Sequence, residues 1–218
     1  MAWRRFKQFL TRHVRRHPGQ SLVEFTILLP VLLIMISGLI EFGFMLNYYL
    51  DLIDAAREAA RWGASADPFS DLTGNYVGDS GNNPFYGQVA SVAVDSINIG
   101  SGGQISLDVS RDDIVISVFS VVGGSVDQRF PAAQGENGRC VIDWVTGCNH
   151  TSDFTSAEIN TLLDPAAPDT GAVLVEIWYD YDMILGLPWI TAFVPNPVTL
   201  YAYSIMPNPI AQVPTPPP

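Results

Sequence analysis

Glu24 stands at the head of an apolar run, five residues after Gly19, and the next charge, Glu41, follows only after sixteen uncharged residues. A carboxylate at the edge of an apolar span is costly unless a cation pairs with it or water reaches it. Two readings are therefore open for Glu24, a pairing carboxylate or a marker of the helix boundary. Oxidation is a second candidate chemistry, because Cys140 and Cys148 are the two cysteines of the chain. In an oxidising compartment they are expected to form a local disulfide, with two buried thiols as the alternative.

Other chemistry is short of residues. After Gly19 there is no lysine, which excludes Ser–Lys, Schiff-base and P-loop mechanisms for that part of the chain. One histidine follows Gly19, His150, and it lies two residues from Cys148. An exposed histidine beside a disulfide fits that spacing better than a thiol dyad. The chain has no G-x-S-x-G, H-E-x-x-H or C-x-x-C. Asp67, Asp71 and Asp79 lack the spacing of a calcium loop. The acid pairs Asp112-Asp113 and Asp180/Asp182 read as a solvated acidic surface. No enzymatic activity, cofactor or metal is expected.

The element that positions Glu24 is the stretch from Gly19 to Trp62. Its apolar part, through Leu46, is long enough to cross a bilayer, which takes about 20 residues. A single span in lipid must be helical, because its backbone groups have to bond internally. Pro30 lies inside the span as either a functional kink or a tolerated membrane proline. Glu41, about 25 Å beyond Glu24 along the helix, reads as a solvated position near the outer interface. Beyond Leu46 the pattern becomes amphipathic. Leu46, Leu50, Ile53 and Ala60 share one face, with Asn47, Asp51, Asp54, Glu58 and Arg61 opposite. Gly63 is the expected stop.

Charge is divided sharply. Residues 1–19 carry six basic residues and no acid, while the remainder sets five arginines against all 22 acids, a balance of −17. The basic flank predicts a cytoplasmic N-terminus and an extracytoplasmic C-terminal part. An acidic exterior excludes nucleic-acid binding there. Three kinds of leader compete. A secretory signal would have to end at Ala64-Ser65-Ala66, far beyond the apolar core. A twin-arginine signal at Arg4-Arg5 is followed by too long an apolar segment. The third is carried by Gly19-Gln20-Ser21-Leu22-Val23-Glu24-Phe25, a glycine, four residues, then Glu and an aromatic after a short basic leader.

That heptapeptide looks like a prepilin peptidase site. Together with Leu29-Pro30, Ile40-Glu41-Phe42-Gly43 and Ala56-Arg57-Glu58-Ala59-Ala60-Arg61, it resembles the TadE-like pseudopilin family of tight-adherence (Flp-type) pilus systems. The resemblance covers residues 19 to about 62. It implies cleavage between Gly19 and Gln20, pairing of Glu24 with the new amine of a neighbouring subunit, and a minor pilin-like role in pilus assembly. The implied partners are the membrane, a prepilin peptidase, other pilins and the assembly machinery. Gln20 departs from the Phe that many type IV pilins carry at this position, which leaves N-methylation open. The rival expectation is a single-pass membrane anchor for a surface binding domain that never enters a filament.

The expected layout is a leader (1–19), a transmembrane helix (20–47), an amphipathic extension (48–63), an extracytoplasmic α+β domain (64–206) and a proline-rich tail (207–218). Asn83-Pro84 predicts a capped helix running to about Asp95. Gln104–Ser110 and Ile114–Val122 are expected to pair as a hairpin through Arg111-Asp112-Asp113. Gly123–Asn149 reads as a long loop carrying the cysteines. Thr155-x-x-Glu158 is a capping box for a short helix. Ala172–Asp182 and Val198–Met206 are strands, joined by an apolar segment too rich in proline for a second span. The fold class is thus α+β and pilin-like, a long N-terminal helix packed on a small antiparallel sheet.

Overall fold

The computed structural model describes residues 20–70, 83–98, 103–141, 148–164 and 169–211. Helix α1 runs unbroken over Gln20–Ser65, roughly 69 Å at about 1.5 Å per residue. Helix α2 (Pro84–Ile97) follows, then β1 (Asp113–Val122), β2 (Ser125–Phe130), a 3-10 turn (Ala132–Asn137) and β3 (Arg139–Cys140). Helix α3 (Ser156–Leu162), β4 (Gly171–Tyr181), the single turn α4 (Pro188–Thr191) and β5 (Val198–Asn208) complete the order. The sheet is antiparallel throughout, in the order β2-β1-β4-β5, with β3 added to β1. The architecture is α+β, as expected.

Local signals explain the helix starts. The Asn83 side chain accepts the Phe85 N–H, and Pro84, which has no N–H to satisfy, occupies the first turn of α2. Thr155 and Glu158 form both halves of the capping box on α3. At the other end of α1, Gly63 does not stop the helix. The Asn208 side-chain amide donates to the carbonyls of Gly63 and Ala66, so the end of β5 carries α1 to Ser65. Gly63 is needed for packing instead. A Cβ there would lie 3.1 Å from Val173 Cγ1 and 3.2 Å from Val89 Cγ2.

The buried face of α1 differs from the expected one. Leu52, Ala55, Ala56, Ala59 and Ala60 are buried, while Leu46 and Leu50 are 44% and 51% exposed. The small Ala55, Ala56, Ala59 and Ala60 let the helix lie close against β4, β5 and α2. Leu52 is buried with them and Ile53 packs partly against the core, while Leu46 and Leu50 turn outward. Alternation along the strands then sends Ile114, Ile116, Val118, Val173, Val175 and Ile177 into this core.

The expected hairpin is corrected. Gln104–Ser110 is not a strand. Ile105 makes a single bridge to Asn98, and residues 108–111 turn into β1. Strand β1 pairs with β2 through Gly123-Gly124, whose φ angles of +62° and +75° are those of a two-residue hairpin turn. The stretch read as a long loop from Gly123 therefore holds β2, the 3-10 turn and β3. Asp112 and Asp113 are not solvated either, at 0% and 2% exposure. Asp112 accepts the N–H groups of Asp108 and Asp180 and ties the turn to β4, while burial pushes its carboxyl above the usual range. Asp182 remains exposed and pairs with Arg111 at 2.8 Å.

The opposite face of the sheet buries charge. Glu176 is fully buried and accepts from Ser152 Oγ, the Asp153 N–H and Tyr201 Oη. Arg129 donates to Ser117 Oγ, Glu136 and the Phe154 carbonyl, and its guanidinium lies 5.1 Å from the Phe119 ring centroid. Burial raises the Glu176 carboxyl above its usual range despite these donors.

Two expectations follow. Ala59→Leu overfills the seam between α1 and the sheet and should lower stability by about 1–3 kcal/mol, read as an earlier thermal transition of detergent-solubilised protein. A carboxyl raised on folding contributes stability at pH below its unfolded value, and that contribution is lost as pH rises through the folded value. Relative to wild type, Glu176→Gln should therefore gain stability as pH rises from the ordinary carboxylate range upward. A pH-independent difference between the two would show that Glu176 does not titrate as its burial requires.

Candidate functional site

The apolar part of α1 presents two carboxylates, Glu24 and Glu41, in different settings. Gly19 lies outside the described residues, and Gln20 opens α1. Glu24 is exposed on the helix surface, one turn further on. From Leu22 to Ile36 the apolar side chains are exposed. The segment is long and apolar enough to cross a membrane, with none of its most apolar window buried against the rest of the chain. Ser37 and Thr26 return their hydroxyls to the helix backbone, at Ile34 and Leu22, so they add no unsatisfied polar group to this surface.

Glu41 is the functional-looking residue that sequence reasoning misplaced. It is 5% exposed rather than solvated. Its Oε1 accepts the Tyr181 hydroxyl at 2.7 Å and the Ile184 N–H at 2.9 Å, and its Oε2 accepts the Leu185 N–H at 2.8 Å. The N–H of Gly186, whose φ is +51°, joins the same cradle. Burial and the neighbouring Glu41 charge together push the Tyr181 hydroxyl well above its usual value, so it remains a donor. The connection from β4 to β5 is thereby clamped onto the apolar helix. One helical turn earlier, the Trp189 indole N–H donates to Ser37 Oγ at 3.1 Å. The signal for Glu41 is a lone charge in an apolar run, but its partners lie about 140 residues away in sequence.

Cys140 and Cys148 form the expected disulfide. It pins the end of β3 to the segment that carries His150. His150 is half-buried rather than exposed. Its backbone N–H and ring Nδ1 both meet Asp113 Oδ2, and the ring stacks on Trp178 with centroids 5.4 Å apart. Asp113 also lies beside the two sulfurs. Sulfurs joined to each other offer neither a thiolate nucleophile nor thiolate metal ligands, so the cluster reads as a structural pin. Asp67 caps its own turn through the Phe69 N–H and Ser70 hydroxyl, while Asp71 and Asp79 lie outside the described residues.

Removing the Glu41 carboxylate would leave the part-buried Ile184 and Leu185 N–H groups without their acceptor. Glu41→Ala should cost about 3 kcal/mol locally, since hydrogen bonds to charged groups contribute about 1.5–3 kcal/mol each and orphaned donors add to the loss. Hydrogen exchange at the Ile184 and Leu185 amides should accelerate strongly, with the amides of β1 little changed. Unchanged exchange at both positions would show that the clamp does not hold the connection.

Comparison with curated proteins and with solved structures gave no match to the chain. The family model described as TadE-like protein matches residues 19–61, the stretch that contains the apolar span, Glu24, Glu41 and all four alanines of the buried stripe. Over that stretch, about a fifth of its length, the chain is similar to the TadE-like family.

Proposed function

We propose that this protein is a minor pilin-like subunit that takes part in assembling a tight-adherence pilus after a prepilin peptidase cuts between Gly19 and Gln20. The observation that carries the reading is the family match over residues 19–61 on a helix whose apolar surface is left uncovered. Its six basic residues keep the leader in the cytoplasm and place the folded domain outside. Gly19 has no side chain to obstruct a protease working at the membrane face. Cutting there creates an amine at Gln20, and Glu24 lies one and a bit helical turns beyond it.

Glu24 then pairs with the new amine of a neighbouring subunit. Desolvation offsets much of the attraction in such a pair, so its main effect is on register. A subunit out of register would leave a buried carboxylate without its cation, at a cost of several kcal/mol. The helix supports assembly in a second way. Phe42, Leu46 and Leu50 remain exposed alongside the folded domain, on a surface that a neighbouring subunit's helix can cover.

Two variants in cells that make the pilus test the reading. Gly19→Trp should accumulate as the full-length form with its leader attached. Glu24→Ala should be cut normally yet reduce surface pili severely, counted by electron microscopy. Normal pilus numbers with Glu24→Ala would remove the pairing role. Normal cutting of Gly19→Trp would remove the proposed site.

A further inference from the structure

The connection from β4 to β5 combines features that the clamp on Glu41 does not require. From Met183 to Ala211 no residue carries a charge. Phe193 is 88% exposed, Ile184 51%, Trp189 41%, Val194 39% and Leu185 37%. These side chains form one apolar projection on an otherwise acidic domain. The projection is held in place rather than loose. Glu41 fixes Ile184 and Leu185, Ser37 fixes Trp189, and the Met183 N–H donates to Asn196 Oδ1 across its base.

Its height on α1 says what covers it. Ser37 and Glu41 lie 16 and 20 residues beyond Ser21. At about 1.5 Å per residue these intervals are roughly 24 and 30 Å. The hydrocarbon core of a bilayer is about 30 Å thick. With Ser21 at the inner face, the projection meets the outer face, and it is continuous with the uncovered apolar surface of α1. A tryptophan with its ring in the apolar zone and its N–H bonded is the usual occupant of that depth. The absence of charge over the whole connection matches an interfacial segment as well.

We infer that the Met183–Val194 connection is a second membrane contact, seated in the boundary between headgroups and acyl chains of the outer leaflet. It sets the outer limit of the span at Ser37–Glu41, rather than at Asn47, and holds the folded domain at a fixed angle to the bilayer. The inference rests on α1 crossing the membrane.

Full-length protein reconstituted in phosphatidylcholine–phosphatidylglycerol vesicles provides the test. An environment-sensitive fluorophore would be placed on Phe193→Cys, Val31→Cys or Ser125→Cys, one at a time, with the native disulfide intact. All three positions are exposed, so the substitutions leave the packing alone. Lipids carrying a nitroxide high on the acyl chain or near its end serve as quenchers. The expected result is loss of most Phe193 emission with the shallow quencher, loss at Val31 with the deep one, and no loss at Ser125. Quenching at Val31 with Phe193 behaving like Ser125 would overturn the inference and leave the span intact. No quenching at either would mean that α1 does not span, and the inference would fall with it. A Phe193 probe that is shielded from water yet unquenched by lipid would place it against another subunit and would also overturn the inference.

Discussion

The structure depends on how one carboxylate on an apolar helix is satisfied. Glu41 lies where neither lipid nor packed apolar side chains can solvate a charge, and a buried carboxylate without donors is costly. Tyr181 and the backbone of 184–186 supply those donors, because β4 ends there and its connection folds back over α1. The requirement works in both directions, since the amides of that connection have no strand to bond and need an acceptor. One interaction therefore fixes the height of the sheet along the helix and aims the apolar connection toward the membrane end.

Above that point, small residues set the packing. The alanine stripe of α1 and Gly63 bring the helix close to β4, β5 and α2, and Asn208 closes the helix end from the last strand. The sheet's other face is secured differently, by Glu176, Arg129 and their polar neighbours under α3 and the segment around Ser152. The disulfide and the His150–Asp113 contact anchor that segment at its start. The result is a domain rigid enough to act as the head of a helix whose lower half is left free for lipid or for other helices.

What was legible in the sequence was local. Asn83-Pro84 and the Thr155–Glu158 box gave their helices because cap chemistry involves residues two or three apart. Strand β4 was legible because Val173, Val175, Ile177, Tyr179 and Tyr181 put a β-branched or aromatic residue at every second position. Strand β2 was missed because its polar edge sequence, SVDQRF, resembles a loop, although Gly123-Gly124 marked the turn before it. Ile105 and Leu107 alternate like a strand but end in a turn held by Asp108 and Asp112. The buried face of α1 was misread because hydrophobicity favours the large residues, whereas close approach selects alanines. Asp112, Asp113, Glu41 and Glu176 all looked solvated or unremarkable, since a charge is read as exposed until its donors are known, and those donors come from distant parts of the chain. For the candidate site, the Gly19–Glu24 pattern was fully visible in the sequence, and Glu41 was visible only as a charge out of place.

Under the proposed function these elements are those of a subunit inserted in a membrane, cut at its inner face and passed to a filament. In that reading the basic leader, the side-chain-free Gly19 and the carboxylate at Glu24 each serve one of those steps, and the family match covers Gly19 and Glu24. The most direct test is the N-terminal residue of the protein recovered from cells with an active prepilin peptidase, determined by mass spectrometry of the N-terminal peptide. The account predicts a chain that begins at Gln20. A chain that still carries the leader through Gly19 would contradict it, and would make the helix a permanent anchor for a surface domain.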